Sequence, residues 1–482
     1  MSESIKHEAV KGVAWTSIEK MGSQVIQVVL NIVLARLLTP KDYGVVAMTT
    51  IFTMIATTFI DSGFGNALIQ KKEKSQADYS TCFWFNIMVG IGMYALFYIS
   101  APYIANFYRM PLLINVCRII GLAFIFNSMT ISQTAMLTVN LQFKQLSIVS
   151  ISTQVFTGIF SIILAYNGWG VWALVFQIVM SSLIRLLAIE IVTRWIPTKE
   201  FCRDSFNHLF GFGSKLLCSN LINCIYSNIY ALVIGRIYNA NDVGYFNRAN
   251  QFALLPGSSI TEVVMKVAYP VMAKFQDDNN KLCNAYKKFL SLPLFVLWPI
   301  LGIMVALAKP FIVVVIGEKW LPSVPYLQIL ALGAMFAPLT QINLNILFVK
   351  GRTDLVLRLE VIKKTIAFII LIVSIPFGII WMVIGKAIYD LIAYAINCHY
   401  TKKIIGFGFF EQIKYNMPIF LMSLFAYVMA SLICLGIKSY LSQLIFGTII
   451  SMTSYILISY IIGNNNMKEL ILIIKSLKNK TV

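Results

Sequence analysis

Ten ionisable side chains fall where an apolar chain tolerates them least. Glu19, Lys20, Arg185, Glu190, Lys215, Arg248, Glu262, Lys266, Lys386 and Asp390 all lie inside long apolar runs. A charge at that depth in hydrocarbon is costly unless it meets a partner or faces a wet cavity. Lys386 and Asp390 are four residues apart and pair naturally on one helical face. Arg185 and Glu190 sit near the end of their run, where long side chains reach the interface. Lys20 and Lys215 differ, because they fall at similar depths in the first and seventh runs. With Arg248 and Lys266 in the eighth run, they suggest a positively lined cavity suited to an anionic ligand. Ordinary pairing, such as Glu262 with Lys266 four residues on, is the competing reading.

The same runs carry amides. Gln24, Gln27 and Asn31 are three and four apart on one face, as are Asn220, Asn223 and Ser227. Such stripes glue helices together or line a wet path that hydrogen-bonds sugar hydroxyls, and both readings stay open. Asp61 and Glu262, near the ends of the second and eighth runs, are candidate ion-coupling carboxylates. No phosphate-binding Gly-Lys-Ser/Thr loop, zinc-protease motif or Gly-x-Ser-x-Gly elbow occurs, so no enzyme is expected. The eight cysteines form no Cys-x-x-Cys pair and the three histidines are far apart, so no metal, cofactor or disulfide is expected.

Composition explains what must position these residues. The 482 residues are 58% hydrophobic and 12% charged, with mean hydropathy +0.77. That leaves too little polar surface for a water-soluble globule, in which about a quarter of residues are charged. The runs are long and continuous rather than alternating, which excludes a strand barrel. We therefore expect an all-α polytopic membrane protein of about 14 helices. The map includes spans over Trp15–Leu34, Leu209–Ile234, Val243–Ala268 and Val324–Phe348, and the first is read as an uncleaved span.

With the N-terminus inside, alternate loops hold 25 Lys and Arg on the inner side against 8 on the outer. This bias predicts both termini cytoplasmic and gives the net charge of +19 a membrane explanation, with no nucleic-acid partner. The tail from Asn464 intersperses Leu470, Ile471, Ile473, Ile474 and Leu477 with lysines. It reads as a short interfacial helix or a solvated tail.

A repeat organises the chain. Leu34-Ala35-Arg36-Leu37-Leu38-Thr39-Pro40-Lys41-Asp42-Tyr43-Gly44 is echoed by Ile234-Gly235-Arg236-Ile237-Tyr238-Asn239-Ala240-Asn241-Asp242-Val243-Gly244. Arg36 matches Arg236, Asp42 matches Asp242 and Gly44 matches Gly244, each 200 residues on. Asp42 and Asp242 are placed to cap the following helix. Arg36 and Arg236 are placed to meet the carbonyl end of the helix they terminate. The repeat implies two parallel six-helix lobes, 1–200 and 201–405, then two added helices over 406–463 and the tail 464–482.

The doubled motif resembles the bacterial polysaccharide flippases (O-antigen, lipopolysaccharide and colanic-acid type) of the MATE-like superfamily. Asp61-Ser62-Gly63 with Ala67-Leu68-Ile69-Gln70, Asp242-Val243-Gly244-Tyr245-Phe246-Asn247-Arg248-Ala249, Tyr269-Pro270 and Gly168-Trp169-Gly170-Val171-Trp172 carry the likeness. The resemblance implies alternating access and a substrate of undecaprenyl-pyrophosphate-linked oligosaccharide, moved across the inner membrane for surface polysaccharide biosynthesis. It implies membrane lipids, a polysaccharide polymerase and other assembly proteins as partners. A cation-coupled multidrug exporter and a membrane glycosyltransferase or polymerase are the rivals. The first wants an acidic aromatic cavity and the second a large loop.

Overall fold

Backbone amides and carbonyls in hydrocarbon find no water, so each segment must close its own hydrogen-bond ladder. The computed structural model describes residues 3–61, 63–71 and 73–480; side chains are described except at 3–14, 17, 208, 212–216, 218, 219, 222, 259, 263 and 473–480. The described residues are helical and turn throughout, with no strand among them.

Two compact units divide the chain. Met1–Gly244 holds α1 (Glu3–Leu37), α2 (Pro40–Asp61), a short α3 (Phe64–Gln70), α4 (Gln76–Tyr108), α5 (Leu112–Val139), α6 (Phe143–Tyr166), α7 (Val171–Thr193), α8 (Arg203–Ile237) and the first turn of α9 (Ala240–Ala273). Tyr245–Val482 holds the rest of α9, then α10 (Asn279–Ala306), α11 (Ala308–Val315), a 3-10 segment Glu318–Ser323, α12 (Val324–Ala334), α13 (Ala337–Val349), α14 (Thr353–Ser374), α15 (Ile379–Ile405), α16 (Phe409–Gly436), α17 (Tyr440–Ile461) and α18 (Asn465–Lys480).

Eleven stretches among the described residues are long and apolar enough to cross a membrane. The spans α8, α9 and α14, also expected from the sequence, are not among them. Two of these three carry candidate site residues, whose amides and charges lower local hydropathy.

One expected span is corrected. Val324–Phe348 is not a single helix but α12 and α13, broken at Met335–Phe336. Pro338 has no N–H to give the carbonyl of Ala334, so the ladder fails there. Beside the break, the Trp298 indole donates to the carbonyl of Met335 at 3.0 Å.

Local signals set the other boundaries. Gly63, at φ 73°, separates α2 from α3. The tail does form a helix: the Ser291 hydroxyl bonds the Asn466 amide oxygen at 2.8 Å, and Lys288 pairs with Glu469 at 2.9 Å, tying α18 to α10.

Ser75 caps α4 in a reciprocal box. Its hydroxyl accepts from the Asp78 amide at 3.2 Å, while the Asp78 carboxylate accepts from the Ser75 amide at 2.8 Å. Lys71 adds an ion pair to Asp78 at 2.6 Å. Asp78 is buried, so its removal strands several donors at once. Asp78→Ala is expected to destabilise the fold by about 1–3 kcal/mol. Thermal unfolding of the purified protein in detergent reads this as a drop of several degrees, and an unchanged midpoint contradicts it.

Candidate functional site: paired turns, a polar stripe and a charged cavity

In both copies of the repeated turn the Asp bonds to the residue three before it. Thr39 precedes α2, and its amide donates to the Asp42 carboxylate at 2.8 Å while the Asp42 amide donates back to the Thr39 hydroxyl at 3.3 Å. At α9 the Asn239 amide nitrogen donates to Asp242 at 2.7 Å, and the Asp242 backbone donates to the Asn239 oxygen at 3.1 Å. Asp42 is thus the third residue of a reciprocal capping box rather than the cap itself, whereas the donor to Asp242 is the Asn239 side chain, not its backbone.

The two turns meet. A Cβ built on Gly44 would lie 1.6 Å from the Ala240 carbonyl oxygen, and one on Gly244 would lie 2.1 Å from the Pro40 carbonyl oxygen. The first turns of α2 and α9 therefore touch backbone to backbone, which only a residue without a side chain permits. Gly170, at φ 53°, packs here too, with its Cβ position 3.2 Å from the Asp42 carboxylate. Three motifs that are far apart in sequence converge at one point.

Arg236 departs from expectation. Its guanidinium donates to the Phe107 carbonyl at 2.6 Å and lies 5.1 Å from the Phe107 ring. It therefore caps the carbonyl end of α4, not of its own helix. Arg36 is exposed at the matching position of the first turn.

The polar stripe of α1 lies on one face of the helix. Lys20 and Gln27 are exposed and Gln24 and Asn31 half-buried, spaced by four, three and four so that all four share one face. Met21, Val25 and Val29 are exposed on roughly the opposite face. Between the two faces, Gly22 and Leu30 pack onto Ile151 and Gly158 of α6. α1 thus carries one apolar and one polar face.

On α8, Asn220 and Asn223 are exposed, while the Lys215 side chain lies outside the described residues. Arg248 sits elsewhere: it is only 4% exposed, donates to the Gln251 side chain at 2.6 Å and lies 5.9 Å from the Trp320 ring. Lys266 and Glu262 form an exposed pair at 3.4 Å. Lys386 and Asp390 pair at 3.8 Å.

One feature of the first unit was missed in sequence. A polar cavity of about 400 Å³ opens at the end of α2 remote from the paired turns, with Asp61 and Arg185 in its wall. Thr57, Asn66, Asn127, Thr130, Thr134 and Thr138 complete its polar lining. Arg185 acts electrostatically on Asp61, yet among the described residues no hydrogen bond or ion pair engages either side chain. The available signal was the α5 stripe Asn127, Thr130, Thr134 and Thr138, one face of an otherwise apolar helix.

Comparison with known proteins places the chain. The family profile described as "Polysaccharide biosynthesis protein" matches residues 33–325, which takes in both turns. The chain belongs to this family. Teichuronic acid biosynthesis protein TuaB of Bacillus subtilis is 31% identical over 354 residues, 73% of each chain. Lipopolysaccharide biosynthesis protein WzxC of Escherichia coli is 26% identical over 364 residues, 75% of this chain and 74% of that one.

Among solved structures, lipid II flippase MurJ in an inward closed conformation superposes with TM-score 0.78 at 16% identity, over 95% of this chain and all of that one. An inward-facing multidrug resistance MATE family transporter gives 0.62 at 12% identity, over 82% and 98%. These two likenesses are of fold alone. The protein is an all-α polytopic membrane protein whose fold resembles both.

The contact between the turns makes a direct prediction for this family member. Gly44→Val or Gly244→Val forces side-chain atoms into the opposing backbone and is expected to cost about 1–3 kcal/mol of stability. Gly92→Ala is the control, because nothing lies within 4 Å of its Cβ position. Thermal unfolding of the three variants tests this; equal midpoints would show that the turns do not need the close approach.

Proposed function

We propose that the chain is a flippase that carries a lipid-linked oligosaccharide, borne on undecaprenyl pyrophosphate, across the bacterial inner membrane for surface polysaccharide assembly. Family membership supports the pathway, and the Lys20-Gln24-Gln27-Asn31 face of α1, exposed at Lys20 and Gln27 and half-buried at Gln24 and Asn31, is the observation that carries the transport reading. Such a substrate has three chemistries. The isoprenoid chain is apolar and stays in lipid, so only the head group must cross.

The pyrophosphate is an anion, and bringing an unpaired anion into hydrocarbon is prohibitive. Lys20 offers it a cation at depth. The glycan trades hydrogen bonds with water for bonds with other partners, and Gln24, Gln27 and Asn31 offer both donors and acceptors. Asn220 and Asn223 on α8, the repeat equivalent of α1, extend the same chemistry. Alternating access then requires each site to bind loosely enough to release, which a row of neutral amides favours over a cluster of charges.

Transport without covalent chemistry also suits the connections, since the longest between described helices, 194–202, joins α7 to α8 and holds no catalytic domain. Both termini are assigned to the cytoplasm from the loop bias, and a polysaccharide polymerase is the natural downstream partner. A multidrug exporter shares the fold, but its cationic cargo does not suit a path that offers Lys20.

The test is a leaflet-accessibility assay on vesicles carrying the full chain and a polyprenyl-pyrophosphate-linked oligosaccharide. Lys20→Gln removes a charge-assisted contact of about 1.5–3 kcal/mol and is expected to slow movement about tenfold or more. Val25→Ala, on the opposite face, is expected to stay within about twofold. Wild-type rates in Lys20→Gln, or equal losses in both variants, would refute the assignment of this face.

A further inference from the structure

We propose that the cavity between Asp61 and Arg185 is a sugar subsite, holding one residue of the glycan separately from the pyrophosphate. The proposal rests on the flippase reading and names where glycan chemistry is read.

The cavity is polar inside a bundle whose helices are otherwise apolar, and its charged groups are unmatched by other described side chains. Its position is fixed by α2, α3, α5 and α7, which bring Asp61, Asn66, Asn127 and Arg185 together from across 124 residues of chain (185−61=124). Its volume, about 400 Å³, falls in the range of small-molecule sites.

The lining selects among ligands. A lone carboxylate would invite a cation, but the Arg185 guanidinium that acts on Asp61 opposes one. A lone guanidinium would invite an anion, and Asp61 opposes that in turn. What remains is a neutral ligand dense in hydroxyls. Asp61 accepts from two hydroxyls at once, while Arg185 and the Asn66 and Asn127 amides donate to others.

The Thr134 hydroxyl is buried and has no hydrogen-bond partner, so it too waits for a polar group. Ile131 in the same wall offers an apolar surface to the C–H face of a sugar ring. The same balance makes Asp61 a poor carrier of a coupling cation.

The experiment uses the full chain in detergent with Ile69→Cys, which places a reporter thiol in the cavity wall. N-ethylmaleimide labelling at position 69 is followed by mass spectrometry. The probe is the oligosaccharide pool released by mild acid from the producing cell's own polyprenyl-pyrophosphate lipids, with inorganic pyrophosphate and sodium chloride as comparison ligands.

The pool is expected to slow labelling about tenfold at saturation, and Asp61→Asn or Arg185→Gln to abolish that protection, as loss of a charged hydrogen bond implies. Thr134→Val, a milder change, is expected to weaken it about threefold and serves if a charge variant fails to fold. Protection that survives these substitutions overturns the proposal, as does protection by pyrophosphate or sodium in place of sugar. Absence of protection also overturns it while wild-type vesicles still move the lipid-linked pool. If those vesicles move nothing, the flippase reading fails instead, and sugar protection at position 69 still reports on the cavity.

Discussion

Hydrocarbon allows a protein chain almost no unpaired polarity, and everything else in this molecule follows from that constraint. It forces the backbone into helices, because a helix alone closes its hydrogen bonds within one segment. It also makes each polar side chain at depth informative, because a side chain that gains nothing there costs stability. Arg248 meets the constraint with a Gln251 bond and the Trp320 ring. Lys266 meets it with Glu262. Asp61 and Arg185 share the wall of a polar cavity, and among the described residues neither has a hydrogen bond or ion pair.

How much of this was legible in the sequence depends on the range of each interaction. That Asp42 and Asp242 serve the start of the following helix was legible, because their partners Thr39 and Asn239 lie within one turn; that the preceding residue is the cap was not. The helix map was legible because apolar runs are a local property, except across Val324–Phe348, where one proline outweighed hydropathy. Arg236 was read as serving its own helix because the nearest carbonyls in sequence are its own. It serves α4, whose end lies 129 residues earlier, and spacing holds no trace of that. The cavity was invisible for the same reason: Asp61 and Arg185 were each noticed, but nothing in a linear chain says they share a wall.

The repeat shows a different limit. Its periodicity pairs helices by sequence, yet a sequence match is not identity of role. Arg248 follows the second turn by four residues and is enclosed, while the first unit places the apolar Met48 at the matching position. Thr39 and Asn239 do the same capping work with different atoms. What both copies keep is the geometry of the turn, and what they vary is the chemistry around it.

That division has a physical basis in the glycine contact itself. The Ala240 and Pro40 carbonyls belong to first helical turns and are acceptors within their own ladders. The contact between the turns is therefore one of shape, with no hydrogen bond across it to be replaced. Parting it exposes no orphaned donor or acceptor and forfeits only dispersion. A salt bridge in the same place would leave two bare charges on opening, at several kcal/mol each. A chain whose proposed work requires surfaces to separate and rejoin is better served by glycine against carbonyl than by charge against charge.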